Sequence, residues 1–181
     1  MNARAMAMMQ FLAAVENTRF SIWVRESSSL WAYPTILFMH TVGLGFLVGL
    51  NAAIDLRILG FARRIPLAPM EKFFGIMWAA FWVNAVSGTM LLVADATTKL
   101  TNSVFYIKLG FIALAVVNMV LIRRRIFRDP ALDLDARPIS RFGRVLAAAS
   151  LACWGGAITA GRLMAYFGPV SGAPGLQNRL P

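Results

Sequence analysis

One cysteine, one histidine and eight acidic residues are the scarce groups in this chain of 181 residues. The lone Cys153 excludes an internal disulfide and a cysteine-based zinc site. The lone His40 excludes a histidine cluster within one subunit. No phosphate-binding glycine loop and no nucleophile–base constellation occurs, so the chain does not read as an independent enzyme. Eight acids against eighteen bases leave a net charge of +10. The basic residues cluster between long apolar runs rather than forming a polar, aromatic surface, which argues for a membrane protein and against a nucleic-acid partner.

What is abundant is hydrophobic length. Hydrophobic residues make up 59 % of the chain, too many for an ordinary soluble domain. From Trp31 to Ile54 no Asp, Glu, Lys or Arg occurs. At about 1.5 Å per residue that run crosses a hydrocarbon core of about 30 Å. The pattern predicts an all-α polytopic membrane protein in one domain, 1–181, with four transmembrane helices at 30–60, 71–96, 103–125 and 142–167 in an antiparallel bundle. Residues 5–24 are interrupted by Gln10, Glu16, Asn17 and Arg19 and predict an interfacial amphipathic helix, with Phe11, Leu12 and Val15 turned toward lipid or the bundle. Arg4 and the apolar run after it outline a signal peptide but offer no clear small-x-small cleavage site, so the segment is read as retained.

Boundary signals are local. Glu26-Ser27-Ser28-Ser29 is read as a polar turn and cap before the first span, with Pro34 in its first turn. Asn102 or Ser103 is placed to cap the third. Pro130 stops that helix, Asp133 to Ser140 forms a polar linker, and 168–181 forms an external tail. Eleven of the eighteen basic residues fall in segments 57–72 and 123–144, which places both on the cytoplasmic side of a bacterial inner membrane. Both termini are then periplasmic, and Tyr33, Tyr106 and Tyr166 fall at outer helix ends as interfacial aromatics.

The polar residues sort by face and depth. On the first span Tyr33 and Asn51 lie within roughly 20° of His40, while Gly45 and Gly49 form a GxxxG step on the other side. On the second, Asn84 and Asp95 share a face with Met77, Ser87 and Gly88. On the fourth, Gly155, Thr159, Arg162 and Tyr166 share a face, and Ala152, Gly156 and Ala160 form a small-residue packing ridge. His40 and Asn84 come out near mid-depth; Asp95, Lys108, Arg162 and Glu26 come out near the outer interface. The expected site is an outward-facing pocket with His40 at its floor and Asp95 paired to Lys108 or Arg162. Asp55 is expected to pair with the basic ends of neighbouring helices. The bland alternatives are a histidine bonded to a neighbouring carbonyl or to Asn84, and a structural charge network at the membrane edge.

Glu26-Ser27, Trp31-Ala32-Tyr33-Pro34, His40-Thr41-Val42-Gly43, Gly49 and Asp55-Leu56-Arg57-Ile58-Leu59-Gly60 carry a resemblance that Asn84, Ser87-Gly88, Asp95-Ala96 and Lys108 continue. Over residues 11–125 the chain resembles an uncharacterised family of small bacterial four-helix membrane proteins, distantly similar to the copper-resistance D (CopD-like) membrane domain. The resemblance implies metal or redox handling. His40 is the cofactor or metal ligand in that reading, for haem b or copper, with Met77, Met90 or Met164 as second ligand or a second His40 from a homodimer. Two other functions compete. One is a small solute transporter that selects its solute at Asp95, Lys108 and Arg162. The other is an assembly subunit whose glycine faces bind a homo-oligomer or a larger membrane complex.

Overall fold

A computed structural model describes residues 3–128, 139–164 and 166. Among these there is no strand. Helices α1 (Ala3–Glu16) and α2 (Arg19–Glu26) precede the first long helix, α3 (Tyr33–Leu59). Then follow α4 (Phe73–Ala94), α5 (Ala96–Leu100), α6 (Ser103–Ile122) and α7 (Arg141–Leu163). A 3₁₀ turn, Ala68–Lys72, leads into α4, and a π-helical turn, Arg123–Phe127, extends α6. Four helical stretches, Tyr33–Leu59, Ala68–Ala94, Ser103–Phe127 and Arg141–Leu163, are long and apolar enough to cross a membrane. The expected stop at Pro130, most of the Asp133–Ser140 linker, the helix end at Phe167 and the tail 168–181 lie outside the described residues.

Local chemistry explains the boundaries. Gly60 closes α3 in the left-handed region, at φ 104°, with its N–H on the Arg57 carbonyl. Asn102 caps α6 by accepting from the Val104 N–H at 2.9 Å, and Ser140 caps α7 through the Gly143 N–H at 3.1 Å. The serines after Glu26 do a different job from the one expected. Ser27 closes α2, while the N-cap of α3 is Ala32, which has no side-chain cap bond. Asp95 interrupts the chain between α4 and α5, so the second span ends at Ala94.

The long helices meet through small residues and a shared core. α3 packs on α4 and α7, and α6 packs on α7. Leu47, Ile54, Phe74, Met77, Met119 and Trp154 are essentially inaccessible within the main core. At Gly43 the backbones of α3 and α4 come close: a β-carbon there would stand 3.1 Å from both the Ala80 carbonyl oxygen and the Asn84 nitrogen. Gly156 does the same between α7 and α6, against the Phe111 ring. Gly45 and Gly49 do not take the expected packing role. A β-carbon on either would meet no neighbouring element within 4 Å, and both lie exposed on an outward surface of α3.

The N-terminal segment also departs from expectation. It is two helices rather than one, because Thr18 breaks the run and caps α2 with its hydroxyl on the Ser21 N–H. Both halves are tied to the corner between α4 and α5. Ser21 donates to the Val93 carbonyl at 2.9 Å, and Glu16 accepts from the Thr97 N–H. Leu12 is buried and Phe11 exposed, so this hairpin turns one apolar edge inward.

Candidate functional site

His40 lies on α3 where that helix crosses α4. Its Nδ1 stands 3.1 Å from the Asn84 carbonyl oxygen and 3.1 Å from Ser87 Oγ. A carbonyl oxygen only accepts, so Nδ1 is the protonated nitrogen and donates to it. The Ser87 hydroxyl donates to the Val83 carbonyl at 2.6 Å and is free to accept the second branch. Asn84 returns the contact, its Nδ2 donating to the His40 carbonyl at 2.7 Å. In the neutral ring this places the lone pair on Nε2, which makes no hydrogen bond among the described residues. Gly88 makes room for the ring: a β-carbon there would stand 2.9 Å from His40 Cε1.

The charge around this histidine is one-sided. The ammonium groups of Lys108 and Lys99 lie close enough to act electrostatically on the ring. Lys108, on α6, is half-buried against Gly161 of α7 and has no carboxylate partner among the described residues. Asp95 does not neutralise it. That carboxylate pairs with Lys99 one helical turn on, at 3.6 Å, because both belong to the short α5 corner. Arg162 is exposed with Gly155, Thr159 and Tyr166 along the outer face of α7, turned from the bundle rather than into a pocket. Glu26 is also exposed, and among the described residues its carboxylate pairs with its neighbour Arg25, at 3.9 Å.

The residues expected to line one pocket therefore separate. Tyr33 is exposed at the start of α3. Asn51 is buried, donating to Asp55 and, at 2.8 Å, to Ser150 Oγ of α7. Tyr33, His40 and Asn51 share one helical face, yet that face meets α4 at His40 and α7 at Asn51. Met77 belongs to the main core, whereas Met90 packs against the small cluster of Val24, Ile36 and Ala94. Met164 lies just past the end of α7.

Asp55 corrects a sequence expectation. It is fully buried and bonded to neutral groups, Asn51 and Ser150, instead of the basic end of another helix. Its Oδ1 has no hydrogen-bond partner among the described residues. Ser150, inside an apolar run, gave no sign of this in the sequence. The one signal available was the i, i+4 spacing of Asn51 and Asp55.

The donor set favours some ligands over others. An imidazole held by its other ring nitrogen to a backbone carbonyl is the usual preparation of a metal-ligating histidine. No group of three or more His, Cys, Asp or Glu able to hold a metal ion occurs among the described residues. A bare cation would also be repelled by the Lys108 ammonium, which has no carboxylate partner among the described residues. A metal that brings its own carboxylates fits this set better. No protein-family model, no curated protein and no solved structure matches the chain.

Proposed function

We propose that the protein is a small bacterial inner-membrane subunit that binds haem b through His40 Nε2 and serves membrane redox or metal handling. The observation that carries this reading is the Nδ1 bond to the Asn84 carbonyl, which fixes the ring and leaves Nε2 available. Haem would supply one-electron chemistry there, and its propionates would answer the unpaired charge on Lys108. Met90, packed against the small cluster of Val24, Ile36 and Ala94, or a second copy's His40 would be the further ligand. The resemblance to four-helix membrane proteins distantly like copper-resistance D domains supports the same class.

In this reading the four spans form an antiparallel bundle, with the arginine-rich segments cytoplasmic and both termini periplasmic. Elemental and haem analysis of detergent-purified protein tests it. Stoichiometric iron, lost in His40→Ala and reduced in Lys108→Gln, is the expected result. Full-length, folded protein that retains neither iron nor copper after growth with both would overturn it.

One observation favours a second reading, an assembly subunit. Gly45 and Gly49 are bare on the outward face of α3, the spacing on which membrane helices pair closely. Gly45→Leu would then abolish oligomers seen by crosslinking in native membranes. Unchanged crosslinking would remove this reading.

A further inference from the structure

The arginine-rich end of the bundle holds a cavity of about 210 Å³ between α4 and α6, away from His40. Its apolar wall is Phe74, Trp78, Met119 and Val120; its polar wall is Arg123, Arg124 and Arg128. We propose that this crevice binds the phosphate of an anionic phospholipid, with the acyl chains leaving along the apolar wall into the bilayer.

The π-helical turn sets the arginines. With 3.6 residues per turn, Arg128 would lie about 140° around the helix from Arg123. The wider turn is closed by the Arg128 N–H on the Arg123 carbonyl at 3.0 Å, and this five-residue step brings the two back toward one side. Both then line the same crevice.

Among the described residues the charge is only partly compensated. Arg123 reaches Glu71 only at 4.0 Å, lies 5.5 Å over the Phe74 ring, and has a buried Nε with no acceptor. Arg124 and Arg128 are exposed and form no ion pair among the described residues. Guanidinium groups in this setting are strong donors to phosphate oxygens. A basic pocket between spanning helices at the membrane surface, backed by aromatic and aliphatic side chains, matches a lipid headgroup more closely than a wholly aqueous anion. The bland reading is a solvated basic loop that orients the chain without binding any one lipid.

The test uses the purified full chain in detergent, titrated with brominated phosphatidylglycerol or brominated phosphatidylcholine while tryptophan emission is followed. Trp78→Phe identifies the part of the quenching that reports the crevice. Phosphatidylglycerol is expected to quench that part at about tenfold lower concentration than phosphatidylcholine. The Arg123→Gln/Arg128→Gln double variant should lose the preference at unchanged helicity, and Arg125→Gln, outside the crevice, should keep it. Equal quenching by the two lipids, or an equal loss in Arg125→Gln, would overturn the proposal. Displacement of phosphatidylglycerol by inorganic phosphate at matched concentration would assign the crevice to a free anion and overturn the lipid assignment.

Discussion

At the scale of single residues, the glycines divide into those that touch and those that do not. Gly43 has backbone of α4 at 3.1 Å from where a β-carbon would stand, and backbone cannot swing aside as a side chain can. Gly43→Ala is therefore expected to cost about 1–3 kcal/mol, the usual penalty for overpacking. Gly45→Ala and Gly49→Ala meet open space, and they should be neutral or slightly stabilising through better helix propensity. Unfolding in mixed detergent micelles measures all three. A tolerated Gly43→Ala beside a damaging Gly45→Ala would reverse the assignment of faces. Gly88 belongs to the first class, but its neighbour is the His40 ring, so Gly88→Ala should disturb the imidazole before it disturbs the fold.

At the scale of elements, α3 carries two polar contacts of different kinds. One is the exchange between His40 and Asn84 on α4; the other joins Asn51 and Asp55 to Ser150 on α7. The second is wholly inside the protein, with Asn51, Asp55 and Ser150 all buried. Ser150→Ala removes a partner from a carboxyl group that already has one oxygen unsatisfied. It is expected to cost about 1–3 kcal/mol in the same unfolding assay, and no change would show that the network does not hold α3 to α7.

The four long apolar helices were legible because about twenty apolar residues have few structural outcomes. His40 with Asn84 was legible from depth. Asp95, Lys108 and Arg162 do not form the cluster that their faces and depth suggest. Helical spacing says which residues share a face, but not which neighbour that face meets; nor does it show that Asp95 breaks its helix and turns to Lys99. Ser150 was invisible because a serine among alanines on a spanning helix carries no mark of its partner.

At the scale of the whole molecule, the proposed orientation follows from the distribution of arginine. The arginine-rich ends of the spans lie opposite the corner where α1, α2 and α5 gather. In a Cys153→Ser background, Ser28→Cys should react with a membrane-impermeant maleimide in cells with a permeabilised outer membrane. Arg64→Cys should react only after the inner membrane is opened. The opposite order would invert the topology and put the His40 half on the cytoplasmic side.

The proposed haem binding depends on an imidazole held at Nδ1, with Nε2 unbonded among the described residues. Its most direct test is the reduced-minus-oxidised visible spectrum of purified protein from haem-supplied cells, wild type beside His40→Ala. A haem b spectrum in the wild type that is absent from an equally folded His40→Ala variant is the predicted result. A featureless wild-type spectrum, or one that survives the loss of His40, would contradict it.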